Sequence, residues 1–480
     1  MRILGKSGNE VLILSTPNEK VHQGDYLQLE DTSKKINILA QIYEETYIDI
    51  PGLSEEILRD EVIGSTLEGI QGESLEIKNI SMFIRDSRIL KCKIRGIIKN
   101  STLTYSNNSL PSRVYTKIKK ISYDELFKIA KREGKREIEL GVSASNETLK
   151  IYAEALDGKL NIITGKKESG KSHLSKLLVA NLAELGAPII IFDLNDEYKG
   201  LMKNKNGTTS NLSRKITRLV PGKSLKFNLQ YLELNCLCNI LTHSLQLPGA
   251  SLREFIRIFR LLKTKNSLNI DELRNQIYNL KGNEFIRDAL ISRFHTLQST
   301  GILTNDDGSI KLEELLKTQP DGNIIIISLS EVSPLLRRIT VEIILSKLVN
   351  LLEKKDIKPI FLFAEEAHLY LRDTYWDDIV TRMRHFGIFT TFITNQPDAI
   401  DQGIYRQADN IFLFNFTNDA DIELVSKASM VDADTVKSIV RTLPSKNCLI
   451  LGKTVNDLPI VVKIKQSKWQ AMGETKLFFN

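Results

Sequence analysis

The chain has 480 residues, 42% hydrophobic and 26% charged, enough to build two or three domains at roughly 150 residues each and too apolar for a disordered polymer. Its 66 basic and 59 acidic residues leave a net charge of +7, which permits a polyanionic partner without requiring one. Four scattered cysteines exclude a disulfide framework and six dispersed histidines offer no zinc spacing. No run reaches the roughly 20 apolar residues that cross a bilayer, and MRILGKSGNE lacks a signal-peptide core, so the expectation is a cytoplasmic protein with no membrane partner.

From residue 1 to about 108 the runs EVLILST, YLQLED, INILAQIYEETYIDI, SLEIKNISMFI and ILKCKIRGII predict a small β-barrel. In the last run Leu90, Cys92 and Ile94 alternate with Lys91, Lys93 and Arg95, which predicts one buried and one basic face, read as a solvated face or a nucleic-acid surface. Polar residues 100–113 mark a linker, and a helix is expected over 122–131.

Strand, loop and helix then alternate from about 160 to 452. LNIIT, PIIIFDL, NIIIISL, PIFLFAEE, FTTFIT and IFLFNF are apolar enough to be buried on both faces, the mark of a parallel sheet with helices on each side. The stretch from about 245 to 320 reads as a helical insertion, with Ser251 and Glu254 spaced as a capping box; Cys236 and Cys238 read as positions of a buried helix. The expected organisation is a barrel over 1–108, a core over 109–455 and a tail over 456–480 that docks on its own or a neighbouring subunit.

GKKESGKS begins at Gly165, after one of these strands and before a helix with Leu174, Leu177, Leu178, Leu182 and Leu185 on one face. That is the setting of a P-loop, whose glycines let backbone N–H groups wrap phosphates. Gly165, Lys166, Lys167, Glu168, Ser169, Gly170, Lys171, Ser172 and His173 form the expected nucleotide cradle, with Lys171 on the terminal phosphates and Ser172 on Mg²⁺. ATP and Mg²⁺ are the implied ligands.

A hydrolase also needs carboxylates at the end of a neighbouring strand. PIFLFAEEAH supplies Glu365 for the metal and Glu366 as base for the attacking water, although adjacent acids can instead cap a helix. Asn395 and Gln396, which end TFITNQP, are candidate γ-phosphate sensors. Arg382 and Arg384 are candidates for an arginine finger or for surface ion pairs, and His368 and His385 are assigned structural roles.

The succession of barrel, P-loop, FDLNDEY, EEAH, RHFG and NQP resembles the HerA family of DNA-translocating ATPases, related to FtsK and the conjugative pumps. The resemblance covers nearly the whole chain, with Asp193, Glu197 and Tyr198 matching an acidic motif. It implies a RecA-like core, a homo-hexameric ring with ATP between subunits, Arg384 acting across that interface, double-stranded DNA in the channel and a NurA-like nuclease partner in DNA end processing. Two positions depart from the family: Glu365 replaces the usual Asp, and Asn415 stands where many relatives have Arg. The alternatives are a nucleotide-gated scaffold for a nuclease or antiviral effector and a polypeptide-secretion ATPase. Lys199, Lys203 and Lys205 are candidate DNA contacts or solvated loop residues.

Overall fold

The computed structural model describes residues 1–47, 86–104, 110–306, 308–317, 322–371, 383–428, 431–470 and 472. The strand expected in SLEIKNISMFI and Arg382 lie outside them. The chain forms two compact units, Met1–Ile151 with Leu413–Lys465, and Tyr152–Phe412 with Gln466–Asn480. Unit 1 is therefore discontinuous in sequence, and the boundary expected at 108 falls inside it.

Unit 1 begins with β1 (Arg2–Ser7), β2 (Glu10–Ser15), β3 (Tyr26–Asp31), β4 (Ile36–Tyr47), β5 (Arg88–Lys99), β6 (Thr102–Thr104) and β7 (Thr116–Ile121), a seven-stranded sheet ordered β1–β2–β5–β4–β3–β7 with β6 on β5. Alternation sends Val11, Ile13, Leu27, Leu29, Ile38, Ala40, Leu90 and Cys92 into one core. The helix Tyr123–Ile129 follows, started by a complete capping box between Ser122 and Glu125.

The basic residues of β5 are not simply solvated. Lys91 Nζ lies 2.9 Å from Glu44 and Lys93 Nζ 2.7 Å from Glu10. Arg95 donates to Asp432 at 2.9 Å, Thr435 at 3.0 Å and Gln41 at 3.1 Å. Burial opposes ionisation of Asp432, but Arg95 and the hydrogen bonds from Thr435 outweigh it and hold the carboxyl below its usual range.

β8 (Glu137–Val142) and β9 (Thr148–Tyr152) end the first stretch of unit 1. Unit 2 holds β10 (Asn161–Thr164), β11 (Pro188–Asp193), β12 (Ile216–Leu219), β13 (Asn323–Ser328), β14 (Ile360–Glu365), β15 (Ile388–Thr394) and β16 (Asn410–Leu413), in the order β12–β13–β11–β14–β15–β10–β16. The pairs β12–β13, β13–β11, β11–β14, β14–β15 and β15–β10 are parallel. β10, β13, β14, β15 and β16 are buried at every residue, which is why they read as unbroken apolar runs.

The insertion contains helices Gly249–Thr264, Ile270–Tyr278 and Glu284–Ser299. The capping box expected at Ser251 is corrected: the helix is capped from Pro248, Ser251 is buried within it, and Glu254 pairs with Arg257 at 2.8 Å. The three residues Gly249, Ala250 and Ser251 accept helical geometry, so the start moved upstream of the Ser–Glu spacing.

Unit 1 is completed by β17 (Asn447–Gly452) and β18 (Ile460–Ile464), ordered β17–β18–β8–β9. β18 passes so close to β8 that a Cβ on Gly141 would meet Lys463 O at 2.0 Å. The last described residues return to unit 2: Lys205 N donates to Lys468 O at 3.0 Å, Gln470 N to Lys203 O at 2.9 Å, and Trp469 is buried. A Cβ on Gly200 would lie 2.4 Å from Gln470 O, so glycine admits this strap.

Candidate nucleotide site

Between β10 and the helix Lys171–Glu184 the chain must reverse within six residues. It does so through positive φ at Gly165 (156°) and Gly170 (119°), conformations glycine adopts without a Cβ penalty, and at the non-glycine Glu168 (60°). Lys166, Lys167 and Glu168 are exposed on the turn, Ser172 and His173 are half-buried, and Ser169 is buried with an unpartnered Oγ. Lys171 is buried, and its ammonium donates to Gly165 O at 2.8 Å and Lys166 O at 2.9 Å. Burial lowers its pKa, while Glu366, Glu365 and Glu197 act in the opposite sense.

Parallel register brings the other groups to the same sheet edge. Thr164 pairs with Thr394, and Glu365 with Ile393, so β15 places Thr394, Asn395 and Gln396 between the P-loop strand and the two glutamates. Glu365 is buried and neither carboxyl oxygen makes a geometrically formed hydrogen bond among the described residues. Burial, then the carboxylates of Asp193 and Glu197, push its pKa well above the usual range. Burial also raises that of Asp193, although Asp193 accepts the backbone N–H groups of Tyr198 and Glu197, each at 3.0 Å. Glu366 follows with φ +46°, a left-handed conformation that costs roughly 1–2 kcal/mol for a residue with a Cβ and turns its side chain away from the strand's alternation.

Ser175, Lys176 and Tyr370 carried no sequence signal beyond their place in or beside apolar runs. Tyr198 and Ser175 share a hydrogen bond through their hydroxyls, and Lys176 reaches Glu197 at 3.1 Å, fastening the acidic motif to the P-loop helix. Tyr370 OH donates to Glu365 O at 2.9 Å. Thr394 Oγ1, 3.1 Å from His368 Nδ1, was legible only as the polar end of TFIT.

Not every expected residue joins this cluster. Gln396 is exposed at the edge of the site. Arg384 is also exposed and lies before the amino end of β15, a strand that spans about 20 Å from Ile388 to Thr394 at ~3.3 Å per residue. Asn415, in unit 1, donates to Arg441 O at 3.1 Å and Leu443 O at 3.0 Å, a backbone clamp. Lys199 pairs with Asp196, while Lys203 and Lys205 are exposed.

The residues fit a hard cation beside a polyphosphate. The Glu365 carboxyl, Ser169 Oγ and Thr164 Oγ1 are buried with no geometrically formed hydrogen bond among the described residues, and Asp193 and Glu197 are the acids that act on Glu365. This is the sparse oxygen set suited to magnesium shared with phosphates, rather than an all-protein cage.

Residues 138–348 match the family model described as Helicase HerA, central domain. The chain is a P-loop ATPase whose core is similar to the HerA central domain. It is 24% identical over 490 residues to the DNA double-strand break repair helicase HerA of Sulfolobus acidocaldarius, covering 95% of this chain and 91% of that one. A probable helicase of Methanocaldococcus jannaschii is also 24% identical, over 73% of this chain and 71% of its own. Among solved structures, the chain shares its fold with VirB4 of Thermoanaerobacter pseudethanolicus (TM-score 0.53, 13% identity, 70% of this chain and 98% of that one). It shares it too with the bacterial conjugative coupling protein TrwB (TM-score 0.52, 14% identity, 73% and 93%). No helix among the described residues is long and apolar enough to cross a membrane.

Proposed function

We propose that the chain is a double-stranded DNA translocase that acts as a homo-hexameric ring, with a RecA-like core, a barrel over 1–108 and a NurA-like nuclease partner in DNA end processing. The observation that carries this reading is the convergence of Lys171, Glu365 and Glu366 at one sheet edge, with β15 between them.

ATP would be wrapped by residues 165–173, with Lys171 leaving its two loop carbonyls for the terminal phosphates. Magnesium, held by Ser172 and Glu365, would neutralise phosphate charge. Glu366 takes the proton of the attacking water as its oxygen bonds to the γ-phosphorus; the bond to the β–γ bridging oxygen breaks, and ADP and phosphate leave. Gln396 senses the γ-phosphate. Arg384, remote from its own chain's cluster, serves the neighbouring protomer, where a finger of this kind contributes roughly 10³-fold or more.

The test is ATPase activity with and without long duplex DNA, for wild type and Glu366→Gln. Expected are stimulation that weakens as salt rises and a loss of about 10²-fold or more in the variant. No stimulation and no effect of the variant would refute the motor, and a variant that still supports nuclease action would favour the scaffold.

A further inference from the structure

Thr394 has one hydroxyl proton. Its Oγ1 lies 3.2 Å from Gln396 O, to which it donates, and accepts the Gln396 N–H at 3.0 Å. With that proton on Gln396 O, the third neighbour, His368 Nδ1 at 3.1 Å, is assigned as the donor, the tautomer that also presents an N–H to Glu366. Burial lowers the imidazole pKa, with Glu366 and Asp398 opposing.

The same Nδ1 stands 3.5 Å from Glu366 Oε2. That oxygen is buried and has no hydrogen-bond partner among the described residues. One N–H thus faces two acceptors, Thr394 Oγ1 on the sensor strand and the carboxylate assigned as base, and full alignment with one costs the other. An approach of about 0.7 Å would turn the longer contact into a charge-assisted hydrogen bond of ordinary length.

We propose that His368 is a positioning residue that couples Gln396 to Glu366, its Nδ1–H passing from Thr394 Oγ1 to Glu366 Oε2 when Gln396 engages the nucleotide. This rests on the base and sensor roles given above, and it replaces the purely structural role expected of His368. With Gln396 disengaged, Thr394 keeps the N–H and the Glu366 carboxylate is unfixed. As Gln396 moves toward phosphate it draws away the backbone that orients Thr394, and the N–H turns to Oε2. The carboxylate is then pinned through one oxygen, and the other is left for the water.

The experiment uses the full chain and compares steady-state ATPase activity with the affinity for a non-hydrolysable ATP analogue. His368→Ala is expected to lower kcat about ten-fold, the scale on which outer partners of a reacting group act, with KM and analogue affinity within about two-fold. His368→Asn, whose amide N–H falls near the position of Nδ1, should restore most of the rate. Thr394→Val removes the competing acceptor, leaves the N–H to Glu366 and should raise kcat without loss of affinity, and the double variant His368→Ala/Thr394→Val should be as slow as His368→Ala alone, because Thr394 acts only through His368.

A kcat for His368→Ala within two-fold of wild type, a double variant whose kcat departs from that of His368→Ala, or a parallel loss of analogue affinity would overturn the proposal. If His368→Ala does not fold, Thr394→Val decides alone, and a lowered or unchanged kcat overturns it. Failure of Glu366→Gln to slow hydrolysis would remove the base role itself, an outcome separate from these.

Discussion

Glu342 is an acid buried within the helix Pro334–Glu353, and its Oε2 has no hydrogen-bond partner among the described residues. Burial alone raises its pKa from 4.5 to about 7. The folded chain therefore keeps this proton up to about pH 7, whereas the unfolded chain releases it near 4.5. Between those values the native state binds more protons, so the stabilisation is complete below about 4.5 and is lost as pH rises through 7. At about 1.4 kcal/mol per pKa unit the loss amounts to about 3 kcal/mol. Glu342→Gln removes the ionisation and keeps the shape, so its stability should be flatter with pH and should exceed wild type at pH 8. Urea unfolding of both proteins at steps from pH 5 to 8 measures this as a difference in midpoint. If the two midpoint curves run parallel, Glu342 does not titrate in this range and the desolvation argument is wrong.

Three other changes test the packing and the cradle. Lys171→Ala should reduce ATP-analogue affinity at least ten-fold by calorimetry, because it deletes the cation buried at the loop and its two loop-closing hydrogen bonds. Arg95→Met should destabilise unit 1 by roughly 1 kcal/mol in denaturant titration, since it removes the closest cation from the half-buried carboxylate of Asp432 and leaves Lys93 at 3.8 Å and the Thr435 hydrogen bonds to hold it. Gly200→Ala forces a methyl against Gln470 O; a cost of roughly 1–3 kcal/mol should displace the strap, read as a red shift of Trp469 fluorescence and faster proteolysis near the C-terminus.

The sheet of unit 2 was legible because its strands are buried on both faces, so apolar runs such as NIIIIS and IFLFAE admit little else. The division of the chain was not. β17 and β18 follow the strands of unit 2 along the chain yet belong to unit 1, where β18 pairs Lys463 with Val142, a partner that local pattern does not reveal. The basic face of β5 misled for the same reason: Arg95 finds its acid 337 residues away, a distance no local pattern encodes. At the site, motif and spacing indicated which residues carry chemistry, but the unusual φ of Glu366 and the place of His368 Nδ1 between Thr394 and Glu366 follow from backbone geometry and register, which a linear pattern does not record.

The discontinuity of unit 1 has a consequence for biosynthesis. Its chain leaves at Ile151 and resumes at Leu413, so about 260 residues separate its two parts on the ribosome. At roughly 5–20 residues per second, β8 waits tens of seconds for β18, and Arg95 waits as long for Asp432. Throughout that interval the nascent chain offers an unpaired strand edge of the kind that invites misassembly. The later segment finishes a unit begun first, so chaperone dependence during translation should be concentrated on the earliest part of the protein to emerge.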